Sequence, residues 1–168
     1  GCRKGAVPAA LEADGPAAAA RRLHDLVDRF GRDRVVVELW DHGHPLDAER
    51  NDALAHLAVA AGLDVVATNN VHYHVQDRHR LQDCLVAVRH RKSLEQSHRE
   101  RRANAEFYLK SPEQMARLFH ELPDALDNTL AIAERCVFDP TRDLTYRFPD
   151  YPVPLGHTPI TYLGQLCK

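Results

Sequence analysis

Arg34-Val35-Val36-Val37-Glu38-Leu39-Trp40 and Asp64-Val65-Val66-Ala67-Thr68 are the two stretches that decide the fold. Each is a short, nearly continuous apolar run rich in β-branched residues, the pattern of a strand covered on both faces, as in a parallel sheet. Between them, Asp47 can cap a helix that runs to about Ala61, with Leu54, Leu57 and Ala58 inward and Gly62 ending it. Strand, helix and strand joined by short loops make a βαβ unit. The loops after Leu39 and after Thr68 then open on the same carboxyl edge, where α/β proteins place ligands.

Upstream of this unit, Ala17 to Phe30 carries Leu23, Leu26, Val27 and Phe30 at helical spacing and meets a natural stop at Gly31. Downstream, Leu81 to Val88 is expected to be helical, Arg89 to Ala105 to be a charged exposed loop, and Phe107-Tyr108-Leu109 to be a short strand. Ser111-Pro112-Glu113-Gln114 is a helix start, because Ser111 can accept from the Gln114 amide while Gln114 reaches back. A further helix is expected over Asp124 to Cys136, with Leu126, Leu130, Ile132 and Ala133 on one stripe. From Val137 to His157, Pro140, Pro149, Pro152 and Pro154 alternate with aromatics, which suits an extended linker. Thr158-Pro159 then opens another helix, and both ends of the chain read as cuts in a longer polypeptide.

The 168 residues are 44% hydrophobic and 27% charged, the balance of a folded globular chain. No apolar run approaches a membrane span. A formal charge of −2 provides no overall positive field for a polyanion. Cys2, Cys84, Cys136 and Cys167 are scattered, without a C-x-x-C pair, which fits a reducing cytoplasm.

Among the 11 histidines, His72 is the best placed for chemistry, since it leaves a buried strand at its carboxyl end and can offer a ring nitrogen to zinc or manganese; the alternative is a structural loop histidine hydrogen-bonded to backbone. Cys2 could supply a thiolate ligand or be a small buried residue. Glu38, amid valines, should be paired with a cation or linked to a metal if it faces inward, in an ion pair or behind the ligands rather than as a direct ligand. His42 and His44 imitate a metal pair but read as exposed loop histidines, and the other eight show no ligand grouping. The basic residues of Arg89–Lys92 and Arg99–Arg102 could touch phosphates or stay solvated. A Gly-rich phosphate loop, a Ser-His-Asp set and an acidic pair suited to two-metal phosphoryl transfer are all missing, which speaks against autonomous nucleotidyl transfer.

The runs Val37-Glu38-Leu39-Trp40-Asp41-His42-Gly43 and Val66-Ala67-Thr68-Asn69-Asn70-Val71-His72-Tyr73 resemble the polymerase-and-histidinol-phosphatase (PHP) domain of bacterial C-family DNA polymerases. Leu81-Gln82-Asp83, Ala103-Asn104-Ala105-Glu106, Leu109-Lys110-Ser111-Pro112, Ala131-Ile132-Ala133-Glu134-Arg135-Cys136 and Tyr151-Pro152-Val153-Pro154 are similar to the segment joining that domain to the palm. The first two of these look like the error-prone, translesion branch. The resemblance implies an α/β fold: part of a PHP-type distorted βα barrel, then a mainly helical segment and a Pro-rich linker. It assigns residues 1–90 to the end of the PHP domain, 91–157 to the connector and linker, and 158–168 to the start of the palm.

It also implies metal ligation by His72 and Cys2, although Asn70 stands where the family carries an aspartate, and the family's H-x-H ligands would lie upstream of Gly1. For the full polymerase it implies template-directed DNA synthesis past lesions, with Mg2+ on palm carboxylates beyond Lys168. No catalytic residue is then expected within this chain, and Zn2+ or Mn2+ should bind the PHP remnant only weakly. The implied partners are primer-template DNA, dNTPs, the sliding clamp and other mutagenesis proteins, in the cytoplasm and away from membranes. A fragment of the replicative alpha subunit, a PHP-type metal-dependent phosphoesterase and a metal-free interaction module are the alternative readings.

Overall fold

The computed structural model describes residues 4–145 and 151–168, and Cys2 lies outside them. The chain divides into two compact units, one reaching to Arg135 and the other running from Cys136 to Lys168. In the first, helices α1 (Ala6–Asp14) and α2 (Pro16–Phe30) precede strand β1 (Val37–Leu39), helix α3 (Asp47–Ala61) and strand β2 (Val65–Ala67). Helices α4 (His79–His90), α5 (Pro112–Leu118) and α6 (Pro123–Arg135) follow. The second unit holds α7 (Pro159–Leu166).

The expected βαβ unit is present. β1 and β2 pair in parallel, with Val37 opposite Val65, Glu38 opposite Val66 and Leu39 opposite Ala67, and they form a two-stranded sheet among the described residues. Both strands are shorter than their apolar runs, and Arg32–Arg34 closes a 3-10 turn directly before Val35. α3 ends where expected: Gly62 sits in the left-handed region (φ 63°, ψ 43°), its amide reaching back to the last turn. Asp47 does not cap this helix, since no side chain caps it and the preceding residue is Leu46.

α3 packs on β1 and on α2, and α6 packs on β2. The core gathers Val7, Ala19 and Leu23 from the first two helices, Val37 and Leu39 from β1, Leu54 and Ala58 from α3, and Ala67 from β2. Phe119 and Ala125 close it from the α5–α6 corner. Phe30 departs from the expected stripe of α2 and is 58% exposed; Leu130 on α6 is likewise exposed. Only the first part of α6 reaches the core, where the Asn128 amide donates to the Val65 carbonyl at 2.9 Å.

α1 was not signalled by the sequence pattern, and Pro8 is tolerated because it falls in the helix's first turn, where amides have no intrahelical acceptor. Phe107–Leu109 forms no full strand, only an isolated parallel bridge between Tyr73 and Tyr108. Residues 89–105 are mostly exposed turns as expected, except that Ser97 is fully buried. The predicted capping box of Ser111 with Gln114 is formed, and in the second unit the expected helix start at Thr158 is capped, with Thr161 completing a capping box not expected from the sequence. Part of the Pro-rich stretch, residues 146–150, lies outside the described residues. No helix among the described residues is long and apolar enough to cross a membrane.

Candidate functional site

The carboxyl ends of β1 and β2 are joined where the Thr68 amide donates to the Leu39 carbonyl at 2.8 Å. The two loops leaving this edge bring His42 and His72 to one place, and a third segment, residues 102–110, closes over them. Phe107 is its centre. Its ring stacks on His42, with centroids 3.9 Å apart and planes at 12°, and meets the edge of His72 at 5.7 Å. The backbone holds it there: the His72 amide donates to the Phe107 carbonyl at 2.8 Å, and the Leu109 amide donates to the Tyr73 carbonyl at 3.1 Å.

His42, expected to be exposed, is only 2% exposed. Its Nε2 lies 2.8 Å from the Asn69 carbonyl, which can only accept, so the ring proton is on Nε2. Nδ1 is then a bare acceptor, buried without a hydrogen-bond partner. Burial lowers the pKa of His42 below its ordinary 6.5, outweighing the Asn69 contact and the attraction of Asp47. The His42 carbonyl also accepts from the Asn104 amide at 2.6 Å. His44, also expected to be exposed, is half-buried.

Asp47 replaces its expected capping role with a more central one. Its carboxylate is 1% exposed and accepts from the His42 amide at 2.9 Å, the His44 amide at 3.2 Å and the Arg50 guanidinium at 2.5 Å. Arg50 lies 3.6 Å over the Trp40 ring and donates to the Trp40 carbonyl at 2.6 Å. Burial opposes the charge on Asp47, but the His42 amide and Arg50 outweigh it and keep the carboxyl below its ordinary pKa of 3.8. The loop after β1 is therefore held by the first turn of α3, through Asp47 and Arg50.

His72 is half-buried, and its Nε2 accepts from the Arg102 guanidinium at 2.7 Å. Burial first, then the positive charge of Arg102, keeps its pKa below 6.5. Asn70, beside it, has φ 42°, a left-handed conformation that asparagine tolerates better than most residues. Glu38 finds a polar partner in the Thr68 hydroxyl, which donates to it at 2.7 Å. A cleft of about 670 Å³ adjoins this edge, lined by Trp40, His42, His44, Asn70, Arg102 and Phe107 among others.

Of the two ligands that the family resemblance implies, only His72 lies among the described residues. No three His, Cys, Asp or Glu side chains among the described residues could hold a metal ion together, and the lone pair of His72 Nε2 is taken by a cation. Of the eight other histidines, all but the half-buried His79 are exposed, and several accept or donate within their own helix turn, as His24 does with the Ala20 carbonyl. Arg102 lies in the basic run that could touch phosphates or stay solvated, while the sequence pattern does not single out Asn104 and Phe107 as site residues; they fall in Ala103-Asn104-Ala105-Glu106-Phe107-Tyr108, where alanines alternate with polar residues before two aromatics.

No family model matches the chain. Curated proteins do. Over 166 residues, 99% of the chain, it is 45% identical to an error-prone DNA polymerase of Mycobacterium tuberculosis, and over 168 residues 44% identical to one of Cutibacterium acnes. An error-prone DNA polymerase of Caulobacter vibrioides is 41% identical over 120 residues, 71% of the chain. The chain spans about 15% of the length of the first two relatives. The resemblance to error-prone polymerases is thus borne out along the whole chain, which corresponds to a segment of the error-prone DNA polymerases of the bacterial C family.

Proposed function

We propose that this chain acts as a scaffolding segment of an error-prone DNA-directed DNA polymerase that copies damaged templates, and that nucleotide transfer is carried out by other parts of that polymerase. The observation that carries this reading is the match of 44–45% identity along essentially the whole chain to polymerases several times its length. In this reading residues 1–90 are the last part of a PHP-type βα barrel, 91–157 the connector and linker, and 158–168 the entry to the palm. The parallel β1-α3-β2 unit supports the barrel assignment, being the repeat from which βα barrels are built.

The site chemistry supports a structural role. At the carboxyl edge Asp47, Asn104 and Arg102 spend their polar groups on the loops around His42 and His72, and no acidic cluster capable of binding catalytic metals occurs among the described residues. On α4, Leu81, Leu85 and Val88 lie one helical face apart and are each more than half exposed, a surface suited to being covered in a larger protein. The polymerase would use Mg2+ on carboxylates outside this chain, with primer-template DNA and dNTPs as substrates, the sliding clamp and mutagenesis proteins as partners, and the cytoplasm as its place. Zn2+ or Mn2+ would bind this segment weakly at most.

Primer extension tests the reading. The purified chain, supplied with primer-template, dNTPs and Mg2+ or Mn2+, is expected to add no nucleotide. Extension that persists through further purification of the chain would overturn the proposed division of labour.

A further inference from the structure

The contact between Arg102 and His72 carries more than a loop closure. The family resemblance implies a metal on His72, so the inference rests on the reading above for that expectation, while the geometry stands by itself. A zinc ion on an imidazole sits about 2.0–2.1 Å from the nitrogen. The Arg102 Nη2 is already 2.7 Å from His72 Nε2, the nitrogen whose lone pair a metal there would need. The same guanidinium lies 5.0 Å over the Phe107 ring.

Arg102 is also fixed from both sides. Its neighbour Arg101 pairs with Asp83 at 3.1 Å, and Asn104 donates to the His42 carbonyl at 2.6 Å. Asn70, the nearest candidate for a charged ligand by the family pattern, is neutral in this chain. A cation, a neutral amide and an aromatic ring thus meet where metal ligation would call for carboxylates and free lone pairs.

We infer that the guanidinium of Arg102 occupies the metal position at this edge: by donating to His72 Nε2 and covering Phe107, it closes the edge as a protein-only seam and blocks metal ligation by His72. Arg102 is a positioning residue in this arrangement, holding the His72 ring in the tautomer protonated on Nδ1.

The test is a titration of the 168-residue chain with Zn2+, followed by nitrogen NMR of the imidazoles and by calorimetry. In the wild type, His72 is expected to show an unprotonated Nε2 whose signal stays in place when one equivalent of Zn2+ is added. Arg102→Ala, checked for folding by circular dichroism, is expected to bind Zn2+ tighter by on the order of tenfold, as a repelling charge and a blocking donor are removed. Adding His72→Ala should abolish that gain. Stoichiometric Zn2+ binding by the wild type with a shift at His72 would overturn the inference, as would a folded Arg102→Ala with no gain. The wild-type titration decides the matter alone if the variant does not fold. None of these readouts involves DNA synthesis, so failure here is distinguishable from failure of the polymerase reading.

Discussion

Asp47 is the residue whose removal should cost this fold the most for a single polar side chain. Replacing it with alanine strips the acceptor from two amides, those of His42 and His44, and leaves Arg50 in a site where only 12% of its side chain meets solvent. Breaking a buried ion pair from one side costs about 3–5 kcal/mol, and a buried amide left without an acceptor about 1–3 kcal/mol. These penalties overlap, because Arg50 keeps its bond to the Trp40 carbonyl and the loop can relax toward water. We therefore expect a loss of about 4 kcal/mol in Asp47→Ala, a large part of the 5–15 kcal/mol typical of a domain. Asp47→Asn keeps one acceptor oxygen and should lose about 2 kcal/mol.

The assay is urea denaturation followed by tryptophan fluorescence, for which Trp40, in contact with Arg50, is a built-in probe. The double variant Asp47→Ala with Arg50→Met removes the stranded cation, and it should be more stable than Asp47→Ala alone. A loss below about 1 kcal/mol in Asp47→Ala, or a double variant less stable than the single one, would refute the claim that this buried pair organises the loop after β1.

The pH dependence follows from three depressed pKa values. His42 and His72 titrate below 6.5 when folded, so stability is complete above the unfolded value and falls as pH drops through their folded values; Asp47 adds a second loss below its unfolded 3.8. Urea midpoints should thus decline from about pH 6.5 downward and again below about pH 4, and a flat profile between pH 7 and 5 would contradict the buried, neutral state of His42. Phe107→Ala should raise the pKa of His42 toward 6.5 in an NMR titration, because the ring that excludes water from it is lost. Leu39→Ala, at a fully buried position in β1, should cost about 2–5 kcal/mol in the same denaturation assay.

The parts of this fold that were legible from the sequence are those fixed by neighbours along the chain. The capping box at Ser111 and the helix start at Thr158 are set within four residues, and the Gly62 stop is set by its own φ. The parallel pairing was readable because two β-branched runs flank a helix of the right length. What sequence could not supply came from long range. His42 is buried by a segment whose Asn104 lies 62 positions away, and His72 meets Arg102 across 30 positions. Neither distance leaves a local pattern. Asp47 looked like a helix cap because caps and loop clasps use the same short carboxylate, and only the position of Arg50 and the His42 amide separates the two roles. Phe30 and Leu130 sat on apolar stripes that overran the length of helix actually covered.

The central claim is that the chain is a structural segment of an error-prone polymerase whose chemistry lies elsewhere. It is tested most directly by exchanging the matching segment of the Mycobacterium tuberculosis error-prone DNA polymerase for this chain and measuring primer extension by the purified chimera, beside a version with the segment deleted. The account predicts that the chimera folds and extends primers with Mg2+ while the deletion does not. A folded chimera that cannot extend, or a deletion that extends as well as the intact relative, would contradict it.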